Sequence, residues 1–69
     1  MSKEYSFIIF CVEQYKLKTN ISGKEAFNIF EKYKVNDYLY QNFDVLHTLG
    51  SEYLTQDISE YISLRKKAT

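Results

Sequence analysis

Residues 36–50, Asn-Asp-Tyr-Leu-Tyr-Gln-Asn-Phe-Asp-Val-Leu-His-Thr-Leu-Gly, repeat their apolar side chains at helical spacing. Leu39, Phe43 and Leu46 fall at i, i+4 and i+7, one face of a helix. Tyr38, Val45 and Leu49 widen that stripe on one side, and Tyr40, Asp44 and His47 occupy the other. Asn36 or Asp37 suits the start as a cap, and Gly50 suits a left-handed closure of the end. The spacing therefore predicts one helix across the whole stretch, with Phe43 at the centre of its buried face.

A chain of 69 residues holds one domain, residues 1–69, that must be stabilised by packing. Domains this small bury only roughly 60% of their unfolded surface. Cys11 is the sole cysteine, so no internal disulfide is available. With His47 as the sole histidine, a closed zinc site of about four Cys or His ligands is not available either. Neither a metal nor any other cofactor is expected. Helix packing or association with a partner remains.

The rest of the chain reads as helix too. Phe7, Phe10, Cys11 and Gln14 share one helical face between about Lys3 and Lys18, and Ile8, Val12 and Tyr15 share the next. Ile9 falls outside both stripes. Residues 7–12 are also apolar enough for a short strand, but no breaker separates them from the polar residues that follow. Ser22 and Glu25 form a capping box, with Ile21 and Ala26 in staple positions. That helix is predicted to run to about Lys34, burying Ala26, Phe27, Phe30 and Tyr33. Residues 51–55 suit either a turn or a helix, and Thr55 suits the cap of a last helix with Leu54, Ile58, Tyr61 and Ile62 inward. Arg65, Lys66 and Lys67 complement the negative end of its dipole. The expected fold is all-α, a compact bundle of three to four short helices.

Chemistry is sparse. Cys11 and His47 lie on separate predicted helices, and no third group points to an activated nucleophile. Ser22-Gly-Lys24 lacks the spacing of a phosphate-binding loop. An enzyme is not expected. The N-terminal residues lack a secretory pattern, and the apolar run Phe7–Val12 is too short to span a membrane. A free thiol fits the cytoplasm.

Charge sums to zero but is unevenly placed. Residues 35–64 hold Asp37, Asp44, Glu52, Asp57 and Glu60 with no Lys or Arg. The chain has seven tyrosines, four of them within this acidic run, and Tyr is favoured where proteins bind one another. Tyr40, Asp44, His47, Glu52, Tyr53 and Asp57 are therefore the candidate binding face, suited to a protein with a basic surface. A helix-turn-helix regulator is the alternative, with predicted helices 24–34 and 37–49 as its pair. The would-be recognition helix carries two Asp and no basic residue, so nucleic acid is disfavoured. A further alternative is a phage-style inhibitor whose acidic face imitates nucleic acid. Self-association stays open.

Four segments together carry a resemblance: Phe7-Ile-Ile-Phe-Cys-Val-Glu13, Ile21-Ser-Gly-Lys-Glu-Ala26, Asp44-Val-Leu-His-Thr48 with Gly50, and Asp57-Ile58 with Tyr61-Ile62. Over nearly its whole length the chain resembles a family of short bacterial proteins of unknown function, of Firmicutes type. The resemblance implies a compact all-helical domain, encoded beside or fused to proteins resembling ADP-ribosyltransferase toxins. It implies a small neutralising or adaptor partner, antitoxin-like or regulatory, and it assigns no catalytic residue.

Overall fold

The computed structural model describes residues 2–68, and every element in them is a helix: α1 Lys3–Thr19, α2 Gly23–Lys32, α3 Val35–Gln41, α4 Phe43–Leu46 and α5 Ser51–Ala68. The all-α expectation is met, with five helices in place of three or four. Residues 7–12 are helical, and so are residues 51–55.

Local chemistry sets the helix ends. Ser2 caps α1 by accepting the Tyr5 N–H at 3.1 Å. Asn20 ends it in the left-handed conformation (φ 56°), its N–H returning to the Lys16 carbonyl. Asn tolerates that conformation better than most side chains, and this is a common helix stop. The Ser22 hydroxyl accepts the Glu25 N–H at 3.1 Å and donates to Glu25 Oε1 at 3.3 Å. The cap predicted at Ser22 is present, with Ile21 and Ala26 both at the core. Lys34, again left-handed (φ 57°), makes the two-residue joint into α3.

The continuous helix expected over residues 36–50 breaks at Asn42. Its φ of −112° and ψ of 21° leave the helical region, and its Nδ2 donates to the Tyr38 carbonyl at 2.8 Å. A side chain that bonds nearby backbone competes with the helical ladder. The chain resumes for one turn, α4, and then unwinds through His47 and Thr48. Thr48 Oγ1 donates to the Val45 carbonyl at 2.7 Å. Gly50 does not close a helix in a left-handed conformation, since no glycine has positive φ. Its carbonyl instead accepts the Leu54 N–H at 3.0 Å and starts α5. Thr55 is consequently inside α5 and is not its cap. Its buried hydroxyl donates back to the Ser51 and Glu52 carbonyls, each at 3.0 Å.

Packing centres on α1, which contacts α2, α3 and α5. Phe7, Cys11 and Tyr15 of α1 meet Ala26 and Phe30 of α2, Val35 and Leu39 of α3, Leu46, and Leu54, Ile58 and Ile62 of α5 in one core. Tyr15 meets Phe30 edge-on with centroids 5.5 Å apart. Phe43 is only half-buried, because the break at Asn42 moves it from the centre of the stripe to the core's border. There its ring meets Phe7 edge-on at 5.5 Å and stacks on His47 at 4.4 Å. Val45 and Leu49 do not widen a buried stripe: they are exposed. Phe10 and Phe27 are likewise exposed.

These differences in burial order the expected mutant stabilities. Phe30→Ala should destabilise by about 3–5 kcal/mol, the range for a large aromatic removed from a core, and Phe43→Ala by clearly less. Ser22→Ala should cost about 0.5–2 kcal/mol through loss of its cap. Urea denaturation of the three variants checks the order: a Phe43→Ala midpoint below that of Phe30→Ala would place the core elsewhere.

Candidate functional site

The two residues with nucleophilic or acid–base chemistry are engaged structurally. Cys11 is fully buried, and burial pushes its thiol up to about 12, so it stays protonated. His47 is exposed, and its Nδ1 lies 2.7 Å from the Phe43 carbonyl. That is a local hydrogen bond, with the ring N–H donating to the carbonyl. Among the described residues, no three His, Cys, Asp or Glu side chains gather as metal ligands.

The six residues predicted as one face have different surroundings. Tyr38 donates its hydroxyl to Asp57 Oδ2 at 2.7 Å and stacks on Tyr61 with centroids 4.1 Å apart. Asp57 is thereby occupied inside the fold. Glu52 borders a shallow polar depression between α1 and α5, with Gln14 and Lys18. Asp44, His47 and Tyr53 are exposed. Tyr40, 54% exposed, lines a groove of about 450 Å³ that none of the other five reaches.

Apolar side chains make up most of that groove's lining. Tyr5, Ile8, Ile9 and Val12 of α1 form one wall, Phe27 of α2 and Tyr40 of α3 the other. Tyr5, Ile9 and Phe27 are 61%, 49% and 51% exposed. Glu13 and Asp37 are the charged residues lining it. Asn36 also lines it, and the buried Asn36 Oδ1 has no hydrogen-bond partner within the protein.

The three helices supply these residues by one rule. Ile8 follows core residue Phe7, Val12 follows Cys11, Phe27 follows Ala26, Asn36 follows Val35 and Tyr40 follows Leu39. One residue along a helix is a rotation of about 100°. Each helix therefore carries two apolar faces, one closed over the core and one opening into the groove. The stripes read from the sequence assigned Phe27 to the core and left Ile9 out. The available signal was the pairing of a core residue with a large apolar neighbour, in Phe7-Ile8, Cys11-Val12, Ala26-Phe27 and Leu39-Tyr40.

Fold and groove together define a small all-helical domain with an open apolar surface. The family model described as "Protein of unknown function (DUF3791)" matches residues 6–65, and the chain belongs to that family. No curated protein and no solved structure matches it.

Buried Cys11 and Tyr15 and half-buried Tyr38 resist ionisation, which gives the fold an alkaline limit. Burial above all, then the hydrogen bond to Asp57 and its negative charge, pushes the Tyr38 phenol up to about 12. Cys11 and Tyr38 resist ionisation in the folded state, so their contribution to stability is complete below the ordinary values of 9.0 and 10.0. It is lost as pH rises through those values toward about 12. Thermal melting temperature should fall across that window. Cys11→Ala should flatten the lower part of the decline and Tyr38→Phe the upper part; parallel curves for both variants and the parent would contradict this assignment.

Proposed function

We propose that this protein is an interaction module that binds another protein through the α1–α2–α3 groove, as an antitoxin-like or regulatory partner. The observation that carries the reading is the groove itself, where Tyr5, Ile9, Phe27 and Tyr40 stay largely exposed on a domain short of core material. Contiguous exposed apolar surface of this kind marks contact sites. Rigid tyrosines are favoured at the centres of such contacts. Of the sequence-derived candidates, Tyr40 belongs to the groove, while Asp44, Glu52 and Tyr53 lie on the acidic stretch that steers a basic partner toward it. A free, buried Cys11 suits a reducing cytoplasm. No helix is long and apolar enough to cross a membrane among the described residues.

The resemblance to bacterial proteins encoded beside ADP-ribosyltransferase-like toxins names the first partner to try. A helix-turn-helix reading has the short α2–α3 joint in its favour, but α3 carries Asp37 and no Lys or Arg. Phosphate contact needs positive charge there, and the interaction reading stands ahead of it.

Co-expression with the product of the adjacent gene tests the proposal. The parent should co-purify with that product. Tyr40→Ala should weaken the complex by about 2 kcal/mol or more, as a hot-spot tyrosine does, and Ile9→Gln should weaken it too, with circular dichroism unchanged for both. Folded variants that hold the partner as tightly as the parent would remove the groove from the interface.

A further inference from the structure

We infer that the groove takes an amphipathic helix of the partner, carrying apolar anchors along one stripe and an arginine or lysine where Glu13 and Asp37 lie. This rests on the reading of the chain as an interaction module and names the chemistry of what it holds.

The walls decide the form of the occupant. They are the sides of helices, whose backbone N–H and C=O groups already pair within each helix. Among the described residues no sheet edge exists to receive an extended peptide. An extended segment in this groove would bury its own backbone groups against Ile8, Ile9, Val12 and Phe27 without partners. A helix brings those bonds with it and presents only side chains, which is the helix-in-groove mode. The molecule measures 29 × 24 × 21 Å. At a rise of about 1.5 Å per residue, a helix of roughly 14–19 residues crosses it.

Charge decides the sign. Both charged residues lining the groove are acidic, and no basic residue lines it. Glu13 is held 3.2 Å from Lys16, whereas Asp37 stands exposed at the first turn of α3. A guanidinium has five N–H donors in a planar fork and suits an exposed carboxylate such as that of Asp37. The same charges argue against a second copy of this chain. A twofold contact places the same patch on both sides, and the paired Asp37 and Glu13 carboxylates would face their own kind. Like charges set opposite one another disfavour association.

Three fluorescent model peptides of about 16 residues test this. One has a leucine stripe flanked by arginines, the second the same stripe flanked by glutamates, and the third the arginine sequence with a central proline that breaks the helix. Fluorescence anisotropy should show the first binding at least about tenfold tighter than either of the others, a gap of about 1.4 kcal/mol. Amide resonances of Ile8, Ile9, Val12, Phe27 and Tyr40 should move, and those of the exposed face of α5 should not. Phe27→Gln should abolish binding. Glu13→Gln and Asp37→Asn should each weaken it by up to about fivefold, the range of exposed ion pairs, and added salt should shrink that loss.

Equal binding of the glutamate peptide, equal binding of the proline peptide, or shifts confined to α5 would overturn the inference. So would a dimer in sedimentation that Phe27→Gln dissolves. The two readings fail separately. If co-purification depends on Ile9 but the arginine peptide has no advantage, the groove is an interface of other chemistry. If co-purification is indifferent to Ile9 and Tyr40, the interaction reading fails first.

Discussion

The apolar residues of α1 cover too much of its circumference for one neighbour to bury. Phe7, Cys11 and Tyr15 close against the core, where α2, α3 and α5 all reach the helix. Ile8 and Val12 are half-covered, and Tyr5 and Ile9 are left open. Apolar burial is the dominant favourable term in folding. With no disulfide available, the arrangement of the other helices around α1 determines whether the domain folds at all. The groove follows from the same constraint: α2 and α3 cover neighbouring flanks of α1, and part of its surface stays open between them.

Two left-handed residues and one asparagine carry the chain around this centre. Asn20 turns it from α1 into α2, and Lys34 turns it from α2 into α3. Val35 and Leu39 can then reach the core while Asn36 and Tyr40 form a groove wall. Asn42 ends α3 and allows Leu46 to return to the core, leaving Val45 exposed and Phe43 half-covered. The Tyr38–Asp57 hydrogen bond and the Tyr38–Tyr61 stack then join α3 to α5. One of the acidic residues that looks available in the sequence is thus a structural tie.

The basic residues near the end of α5 have a comparable double character. They sit at the negative end of the helix, as their sequence position suggests. The fold also sets Arg65 5.5 Å from the Tyr61 ring centroid and Lys66 5.8 Å from that of Tyr33. Cation–aromatic contacts of this kind add modestly at exposed sites. The Lys66 contact brings the end of α5 to the C-cap of α2, which no dipole argument reveals.

The sequence by itself determined the helical class, the cap at Ser22, and most of the core. Those features depend on spacing and on side chains that bond within three or four residues, which a linear reading reaches. Leu39, Leu46, Phe30, Ile58 and Ile62 were legible because helical periodicity marks one inward face. The break at Asn42 was not, because residues on both sides of it keep an apolar spacing that fits one longer helix equally well. The groove was legible only in part. Tyr40 stood out as a tyrosine on a polar flank, whereas Ile9 fell outside both stripes of its helix and Phe27 looks in sequence like a residue that any small core would take in. Only the tertiary structure decided that α2 and α3 lie on neighbouring flanks of α1. The second apolar face of each then opens into shared space, because a neighbouring helix covers only part of a helix's circumference.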